Sequence, residues 1–330
     1  SGILATHASP ALSNQGRGVI IGIIDTGIDY TNPLFRNQDG TTRILSIWDQ
    51  SLPEDKSLLP AGVPNRYNAS GASYGTEYTQ ERINEALESD NPFAVVPSTD
   101  TNGHGTFLAG IAAGGILPNQ DFTGAAPECE LVIVKLKPAK QYLRDFYLIS
   151  NDADAYQEND IMMGIKYLRV EAYSQRKPLV ILLGIGSNLG SHEGTSPLNV
   201  MIQDISRYLG MATVIAAGNE TGRGHHYMGA VPIGEESVEV EIRVGNAESQ
   251  RGFVVELWAD TADTYSVGFV SPSGESIGRI PIIGRNETSI PFLLEPTVIA
   301  VNYQLIETGA GKQLVFIRFE APTNGIWRIR

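Results

Sequence analysis

Four short apolar runs alternate with amphipathic segments over residues 17–230, and this pattern predicts a parallel sheet covered by helices. The runs are rich in Val and Ile on both faces, which is typical of strands buried on both sides. They occupy residues 19–24, 131–136, 179–183 and 213–217. The predicted helices occupy residues 106–113, 160–173 and 198–209. Strands and helices in this alternation predict a doubly wound α/β domain whose ligand site opens at the carboxyl ends of the strands.

Beyond about residue 236 the pattern changes, because short strands follow one another without helices. They are expected at residues 238–244, 252–258, 265–270, 297–304 and 313–319. Turn-forming residues between them predict an antiparallel β unit of sandwich or jelly-roll type. We therefore expect an α/β domain over residues 1–235 and a jelly-roll-like insertion over 236–330. Residues 50–98, rich in Asn, Ser, Glu and Pro, predict a long surface excursion between the first strand and the next helix.

Composition narrows the classes of function. With 42% hydrophobic and 18% charged residues, the 330-residue chain is typical of a globular protein. Its apolar runs fall short of the roughly 18 residues that a membrane helix needs, so we expect no membrane partner. A formal net charge of −13 argues against nucleic acid as a partner. The single cysteine, Cys129, permits no intrachain disulfide and is expected to be a small buried residue.

The first predicted strand ends in Asp25-Thr26-Gly27, which places a carboxylate in the ligand crevice of the sheet. Aspartic proteases carry the same tripeptide, but they need two copies facing each other, and it occurs here once in an α/β context. Taken alone, Asp25 is as readily a strand-end residue that shapes a turn.

Two further polar residues follow the same logic. His104 lies between Gly103 and Gly105 at a predicted helix start, where a small neighbour allows backbone to approach closely. Asn219 follows another predicted buried strand, where its side-chain amide could donate to a developing oxyanion. Alone, the histidine could be a solvent-facing residue near a helix cap, and the asparagine an ordinary turn former.

The order of Asp25, His104 and Asn219, with these flanking residues, resembles the subtilase family over roughly residues 12–230. Gly103-His104-Gly105-Thr106 is similar to the histidine motif of the family, and residues 216–219 are similar to its oxyanion motif. The resemblance implies a subtilisin-like fold and a serine endopeptidase with an Asp/His/Ser triad and an acyl-enzyme mechanism.

The same resemblance implies a substrate-binding segment at Gly184, Ile185 and Gly186, beside which a protein or peptide substrate would lie. The family usually has a Ser where Gly184 stands, which leaves the preference of the specificity pocket open. The β unit directly after Asn219 resembles the insertion of the Csp-type germination proteases of clostridia and related anaerobes. In that branch the substrate is the precursor of a spore-cortex hydrolase, and the implied location is secreted or associated with the spore or cell envelope.

A subtilase needs a serine in a Gly-Thr-Ser-x-Ala context after the asparagine, and residues 220–330 contain no Gly-Thr-Ser. Residues 194–196 do form Gly-Thr-Ser, but they precede Asn219, and Pro197 next to Ser196 favours a helix cap. We expect the catalytic serine beyond Arg330, an α/β sheet incomplete at its C-terminal end, and a truncated insertion. The chain alone is expected to be inactive, with the missing C-terminal fragment bound as a second chain. The alternative is a pseudoprotease that binds peptides or regulates a partner.

The sequence gives little indication of a catalytic metal site, because the chain has no His-Glu-x-x-His motif. The resemblance implies that no cofactor is required for catalysis. It also implies that structural calcium could be held by loop carboxylates and carbonyls, although the sequence identifies no ligands.

Overall fold

The structure is a computed structural model that describes residues 2–9, 14–54, 74–117, 122–245, 251–282, 287–307 and 309–330. The chain divides into two compact units. The first, called the α/β unit, comprises Ser1–Pro138, Tyr156–Ser187 and Met201–Asn219. The second, called the β unit, comprises Ala139–Ala155, Asn188–Val200 and Glu220–Arg330. The domain boundary expected between residues 235 and 236 stays a prediction, because compactness alone does not define a folding domain.

Six strands form the sheet of the α/β unit: β1 (Ile20–Asp25), β2 (Ile44–Asp49), β3 (Thr76–Thr79), β4 (Glu130–Lys135), β5 (Leu179–Leu183) and β6 (Met211–Ile215). Their order is β3-β2-β4-β1-β5-β6. The four predicted strands are confirmed as β1, β4, β5 and β6, and they run parallel. The sheet is nevertheless mixed, because β3 runs antiparallel to β2.

The helices are α1 (Ile3–Ala8), α2 (Gln80–Glu88), α3 (Pro92–Val95), α4 (His104–Ala113), α5 (Gln141–Phe146), α6 (Glu158–Gln175) and α7 (Pro197–Ser206), with a 3₁₀ turn at Pro33–Phe35. Both faces of β1 are covered by helices. Ile21 and Ile23 pack in one buried cluster with Ala109 of α4. On the opposite face, a Cβ at Gly22 would lie 2.6 Å from a methyl of Leu168 in α6. Since alternate strand residues face opposite sides, this placement agrees with the predicted doubly wound arrangement.

The prediction of a surface excursion over residues 50–98 is wrong for its second half. Thr76–Thr79 forms β3, which pairs with β2 and is largely buried. The strand escaped notice because two of its three buried side chains, those of Thr76 and Glu77, are polar, whereas Tyr78 packs in the hydrophobic core. Glu77, for example, accepts a 2.8 Å bond from the hydroxyl of Tyr167. Residues 55–73 of the expected excursion lie outside the described residues.

Strand β6 is not buried on both faces, contrary to the prediction. Val214 and Ile215 are 52% and 48% exposed. Within the described part of the chain β6 is an edge strand that pairs with β5 alone. The apolar residues correctly predict a strand here. Whether other elements pack on the faces of that strand cannot be predicted from its own sequence.

The β unit contains eight strands among the described residues: β7 (Val240–Val244), β8 (Gly252–Ala259), β9 (Phe269–Val270), β10 (Ser276–Ile277), β11 (Thr288–Pro291), β12 (Val298–Gln304), β13 (Gln313–Glu320) and β14 (Gly325–Ile329). They form two four-stranded antiparallel sheets, ordered β10-β9-β14-β7 and β11-β12-β13-β8. The predicted antiparallel character is confirmed.

Aromatic side chains from both of these sheets meet in the core of the β unit. The ring of Phe319 packs edge-on against Phe269 and Trp327, at centroid distances of 5.8 and 5.6 Å. All three residues are fully buried, which is typical of facing sheets in a sandwich. The finer jelly-roll topology remains a prediction.

Among the helices that the described residues form, none has the length and apolar character required to cross a lipid bilayer.

Candidate active site

Asp25 ends β1, between β4 and β5 at the centre of the sheet. It is 0% exposed. Its Oδ1 accepts a 2.7 Å hydrogen bond from the backbone N–H of Thr26. Its Oδ2 is buried and accepts no hydrogen bond from the described residues. The buried strand end therefore fixes the carboxylate in position and leaves one oxygen without a donor among these residues.

His104 is the first residue of α4, and its Nδ1 lies 2.7 Å from Oδ1 of Asp25. An ionised carboxylate only accepts hydrogen bonds, so Nδ1 carries the proton in this contact. The neutral imidazole then keeps a lone pair on Nε2, which is the state of a general base. The side chain of His104 is 44% exposed, whereas that of Asp25 is fully buried. The pair therefore joins the buried carboxylate of Asp25 to the solvent-accessible imidazole of His104.

The start of α4 lies very close to the turn after Asp25, and glycine makes this approach possible. A Cβ at Gly105 would fall 2.2 Å from the carbonyl oxygen of Gly27. The N–H of Gly105 instead donates a 2.9 Å bond to the hydroxyl of Thr26. The glycine beside the histidine thus serves the close backbone approach that the sequence suggested.

Gly184, the first residue of the expected substrate segment, follows β5 and lies against the Asp25–His104 pair. A Cβ at this position would be 2.1 Å from Cδ1 of Leu108, 2.8 Å from Oδ2 of Asp25 and 3.2 Å from Cε1 of His104. Leu108 thus occupies the space that a serine side chain would need. Ile185 is half-buried and Gly186 is exposed.

Asn219 lies beyond the end of β6 and is exposed. Strands β5 and β6 run side by side, with Leu183 opposite Ile215, so their carboxyl ends share one edge of the sheet with Asp25. Asn219 makes no hydrogen bond to Asp25 or His104 within the described residues. Its role toward an oxyanion stays a prediction.

Ser196 is a helix cap, as its sequence context suggested. Its hydroxyl accepts a 3.3 Å hydrogen bond from the N–H of Asn199, and its carbonyl accepts one from Val200. Pro197 is the first residue of α7. Gly-Thr-Ser occurs once in the chain, and helix capping explains its serine without any catalytic role.

Asp100 was missed by the sequence analysis. Its carboxylate accepts hydrogen bonds from Thr26, Gly103 and Thr106, which flank the Asp25–His104 pair. Burial alone would raise the pKa of Asp100, but these hydrogen bonds hold it below its usual value. The available signal was an acidic residue four positions before the first helical residue, His104, because acidic side chains are favourable near helix N-termini.

The remaining histidines and the cysteine have other contacts. Nε2 of His7 lies 2.9 Å from the carbonyl oxygen of Ala125, and Nδ1 of His225 lies 2.5 Å from Oε2 of Glu220. No group of three or more His, Cys, Asp or Glu side chains in the described ranges is arranged to hold a metal ion. Structural calcium, which backbone carbonyls can also bind, stays a prediction. Burial raises the pKa of Cys129 to about 11, which keeps its thiol protonated near neutral pH.

Comparison with known families decides the identity of the fold. Residues 16–274 match the sequence profile of the Subtilase family. The chain belongs to the subtilase family. A solved subtilase structure similar to this one is the CspB protease of Clostridium perfringens, with a TM-score of 0.78 and 28% sequence identity. The alignment covers 99% of this chain and 61% of that chain. The subtilisin-like fold and the likeness to Csp-type proteases are thereby confirmed.

Curated subtilases show the same relationship at lower coverage. The PII-type proteinase of Lacticaseibacillus paracasei is 24% identical over 266 residues, which is 80% of this chain and 12% of that protein. Subtilisin-like protease SBT1.9 of Arabidopsis thaliana is 31% identical over 148 residues, which is 41% of this chain and 18% of that protein. The chain therefore spans less than a fifth of the length of these curated relatives in the matched regions.

Proposed function

We propose that this subtilase is a serine endopeptidase in which Asp25, His104 and Asn219 act with a serine that lies outside residues 1–330. The observation that carries the proposal is the 2.7 Å contact between the buried carboxylate of Asp25 and Nδ1 of His104. A histidine held in this way has the tautomer that a hydrolytic triad requires. Membership in a family of serine proteases supports the same conclusion.

In the proposed reaction, Nε2 of His104 takes the proton of the serine hydroxyl as the serine oxygen attacks the scissile carbonyl carbon. Asp25 stabilises the imidazolium that forms. The side-chain amide of Asn219, with a backbone N–H at the serine, donates to the oxyanion. His104 then gives its proton to the leaving amine as the C–N bond breaks. Water, activated by the same imidazole, hydrolyses the acyl-enzyme.

The proposed substrate is an extended segment of a protein or peptide. It would lie as an added strand along Gly184, Ile185 and Gly186, directly after the carboxyl end of β5, and would be bound through backbone hydrogen bonds. The position of Gly184 beside the pair supports this placement, because a substrate along this segment would pass close to His104, whose side chain is 44% exposed. As the family resemblance implies, we propose that the protein is secreted or associated with the spore or cell envelope.

Two observations support a serine from outside these residues. Among the described residues no serine hydroxyl is hydrogen-bonded to His104, and Ser196 serves as a helix cap. The exposed apolar side chains of β6, including Val214 and Ile215, offer a surface next to which further polypeptide could pack.

The test uses the natural polypeptide that carries residues 1–330, treated with a fluorophosphonate probe that labels activated serines. We expect labelling and peptide cleavage, both abolished by His104→Ala. Glu295→Gln is the matched control, because this buried carboxylate lies in the β unit and binds hydroxyl groups there. The separate 330-residue chain should remain unlabelled.

The pseudoprotease alternative makes the opposite prediction. A polypeptide that binds an extended peptide without fluorophosphonate labelling would support that alternative and refute the proposed activity. Labelling that survives His104→Ala would also refute the proposed role of the histidine.

A further inference from the structure

The carboxylate of Asp100 accepts four hydrogen bonds from the segments that carry Asp25 and His104. Its Oδ1 accepts from the hydroxyl of Thr26 at 2.8 Å and from the N–H of Gly103 at 2.9 Å. Its Oδ2 accepts from the N–H and the hydroxyl of Thr106, at 2.9 and 2.6 Å. One carboxylate therefore ties the turn after β1 to the first turn of α4.

The two hydroxyls extend these links in a consistent direction. The oxygen of Thr26 donates to Asp100 and accepts from the N–H of Gly105 at 2.9 Å. The oxygen of Thr106 likewise donates to Asp100 and accepts from the N–H of Asp29 at 2.8 Å. Each hydroxyl uses its single proton toward the carboxylate and its lone pairs toward a backbone N–H, so the network depends on an ionised acceptor at Asp100.

These bonds account for the N–H groups at the start of α4. The first N–H groups of a helix have no partner within the helix, and Gly103 at the N-cap position has no side chain to supply one. Asp100 binds the N–H groups of Gly103 and Thr106, and the oxygens of Thr26 and Asn102 bind those of Gly105 and His104. The first intrahelical bond runs from Phe107 to Gly103. The orientation of His104 is thus set by bonds on both sides of it.

Ser98 and Thr99, the two residues before Asp100, are held by hydrogen bonds to side chains of the sheet. The ammonium group of Lys135 donates a 2.7 Å bond to the carbonyl of Thr99 and lies 3.5 Å from the buried carboxylate of Asp49. That same carboxylate accepts a 2.7 Å bond from the hydroxyl of Ser98. The residues that precede Asp100 are therefore anchored to buried side chains at the end of the sheet.

We propose that Asp100 is a positioning residue for the Asp25–His104 pair, holding the imidazole in the tautomer with hydrogen on Nδ1. This inference rests on the proposed function, because the pair it positions is the proposed catalytic pair. Loss of the Asp100 carboxylate frees the start of α4 from the turn after β1, and the 2.7 Å contact between Asp25 and His104 lengthens. The imidazole then reverts to the tautomer with hydrogen on Nε2, which has no lone pair to accept a serine proton.

The decisive measurement is the ¹⁵N NMR spectrum of the 330-residue chain labelled at histidine, at a pH where the imidazoles are neutral. The two nitrogens of each ring report its tautomer, and His104→Gln assigns the signal. We expect His104 in the Nδ1–H form in the unchanged chain. Asp100→Asn should move His104 largely to the Nε2–H form. The N–H₂ group of the asparagine is a donor, and it would face the N–H and hydroxyl donors from which the carboxylate accepted. Unchanged tautomer in a folded Asp100→Asn chain overturns the proposal.

Four further variants keep the test decisive. Glu295→Gln removes a buried carboxylate charge from the β unit and should leave the tautomer of His104 unchanged. Thr106→Ser keeps the hydroxyl and should preserve the Nδ1–H form, whereas Thr106→Val should not. If Asp100→Asn fails to fold, Thr26→Val replaces it, since it removes only the hydroxyl that joins Asp100 to Gly105. A Thr26→Val chain with an unchanged tautomer then overturns the proposal.

The outcomes separate this proposal from the proposed function. An Nε2–H form in the unchanged chain means that Asp25 and His104 are not paired, which overturns both. A tautomer that depends on Asp100 in a polypeptide that fluorophosphonate never labels supports the positioning role and refutes the protease activity. Amide exchange at Gly105 and Thr106 should also accelerate about five- to tenfold in Asp100→Asn, as expected for the loss of a helix cap.

Discussion

Asp25 and His104 lie 79 residues apart in the chain, and their side chains meet at 2.7 Å. The carboxylate is fully buried at the end of β1, and the imidazole begins a helix on one face of the sheet. This contact fixes the ring tautomer, and several consequences can be measured in the 330-residue chain or in the natural polypeptide that contains it.

The first prediction concerns the carboxylate itself. Asp25→Asn keeps the size of the side chain but can present an amide N–H₂ to Nδ1, which favours the wrong tautomer of His104. We expect kcat for peptide hydrolysis by the natural polypeptide to fall about 10⁴-fold, with little change in KM. Steady-state kinetics measure both constants, and a loss of less than about tenfold would contradict the proposed role of Asp25.

The second prediction concerns the close approach at Gly105. Gly105→Ala places a Cβ 2.2 Å from the carbonyl oxygen of Gly27, so α4 must move away from β1. We expect lower stability by about 1–3 kcal/mol, as for other overpacked sites, and loss of the Nδ1–H tautomer of His104. Urea unfolding and ¹⁵N NMR measure the two effects.

The matched control lies in the same helix. Gly110 has open space where a Cβ would lie, so Gly110→Ala should leave the tautomer unchanged. It should be neutral or raise the stability of the 330-residue chain by up to about 1 kcal/mol, because alanine favours a helix over glycine. If both alanine variants behave alike, the clash with Gly27 is not what the glycine avoids.

The third prediction concerns the coupling of Gly184 and Leu108. Gly184→Ser should destabilise the chain by about 1–3 kcal/mol, because its Cβ would lie 2.1 Å from a methyl of Leu108. Leu108→Val withdraws that methyl, so the double variant should recover much of the loss. The coupling energy follows from a double-mutant cycle of urea unfolding measurements. Additive effects of the two substitutions would show that Leu108 does not fill the space in question.

The fourth prediction concerns acid stability. The pKa of Asp100 lies below its usual value in the folded chain, because hydrogen bonds from Thr106, Thr26 and Gly103 outweigh burial. Its contribution is therefore present above the unfolded-state pKa, about 4, and disappears as the pH falls toward the folded-state value. The difference in unfolding free energy between the unchanged chain and Asp100→Asn should be largest at neutral pH and shrink below about pH 4. Urea unfolding at a series of pH values measures this difference, and a difference independent of pH would be inconsistent with the lowered pKa.

The fifth prediction concerns Ser196. Ser196→Ala removes the acceptor for the N–H of Asn199 and should cost about 1 kcal/mol of stability. Ser196→Asp keeps an acceptor and should restore that loss. Fluorophosphonate labelling of the natural polypeptide should be the same in all three forms, because this hydroxyl caps α7. Loss of labelling in both variants would identify Ser196 as the nucleophile after all.

Local sequence predicted four of the six strands of the α/β unit, β1, β4, β5 and β6, but missed two: β3, and also β2, which is apolar and almost wholly buried. The apolar run predicted as a strand at residues 179–183 has the same bounds as β5, because hydrophobic side chains are sufficient for burial at this position in the sheet. In strand β3, the polar side chain of Glu77 is buried and accepts a hydrogen bond from Tyr167, a partner 90 residues away. Periodicity reports burial by hydrophobicity and is blind to burial by hydrogen bonding.

For the site, the order and flanking residues of Asp25, His104 and Asn219 predicted all three through their resemblance to subtilase motifs, and the structure brings the first two into contact. Only the tertiary structure decided that Asp100 supports the pair and that Leu108 fills the space beside Gly184. Both facts depend on distances between segments that are far apart in the chain. A hydrogen bond or a steric overlap exists only after the sheet has brought those segments together, so no local pattern can encode it.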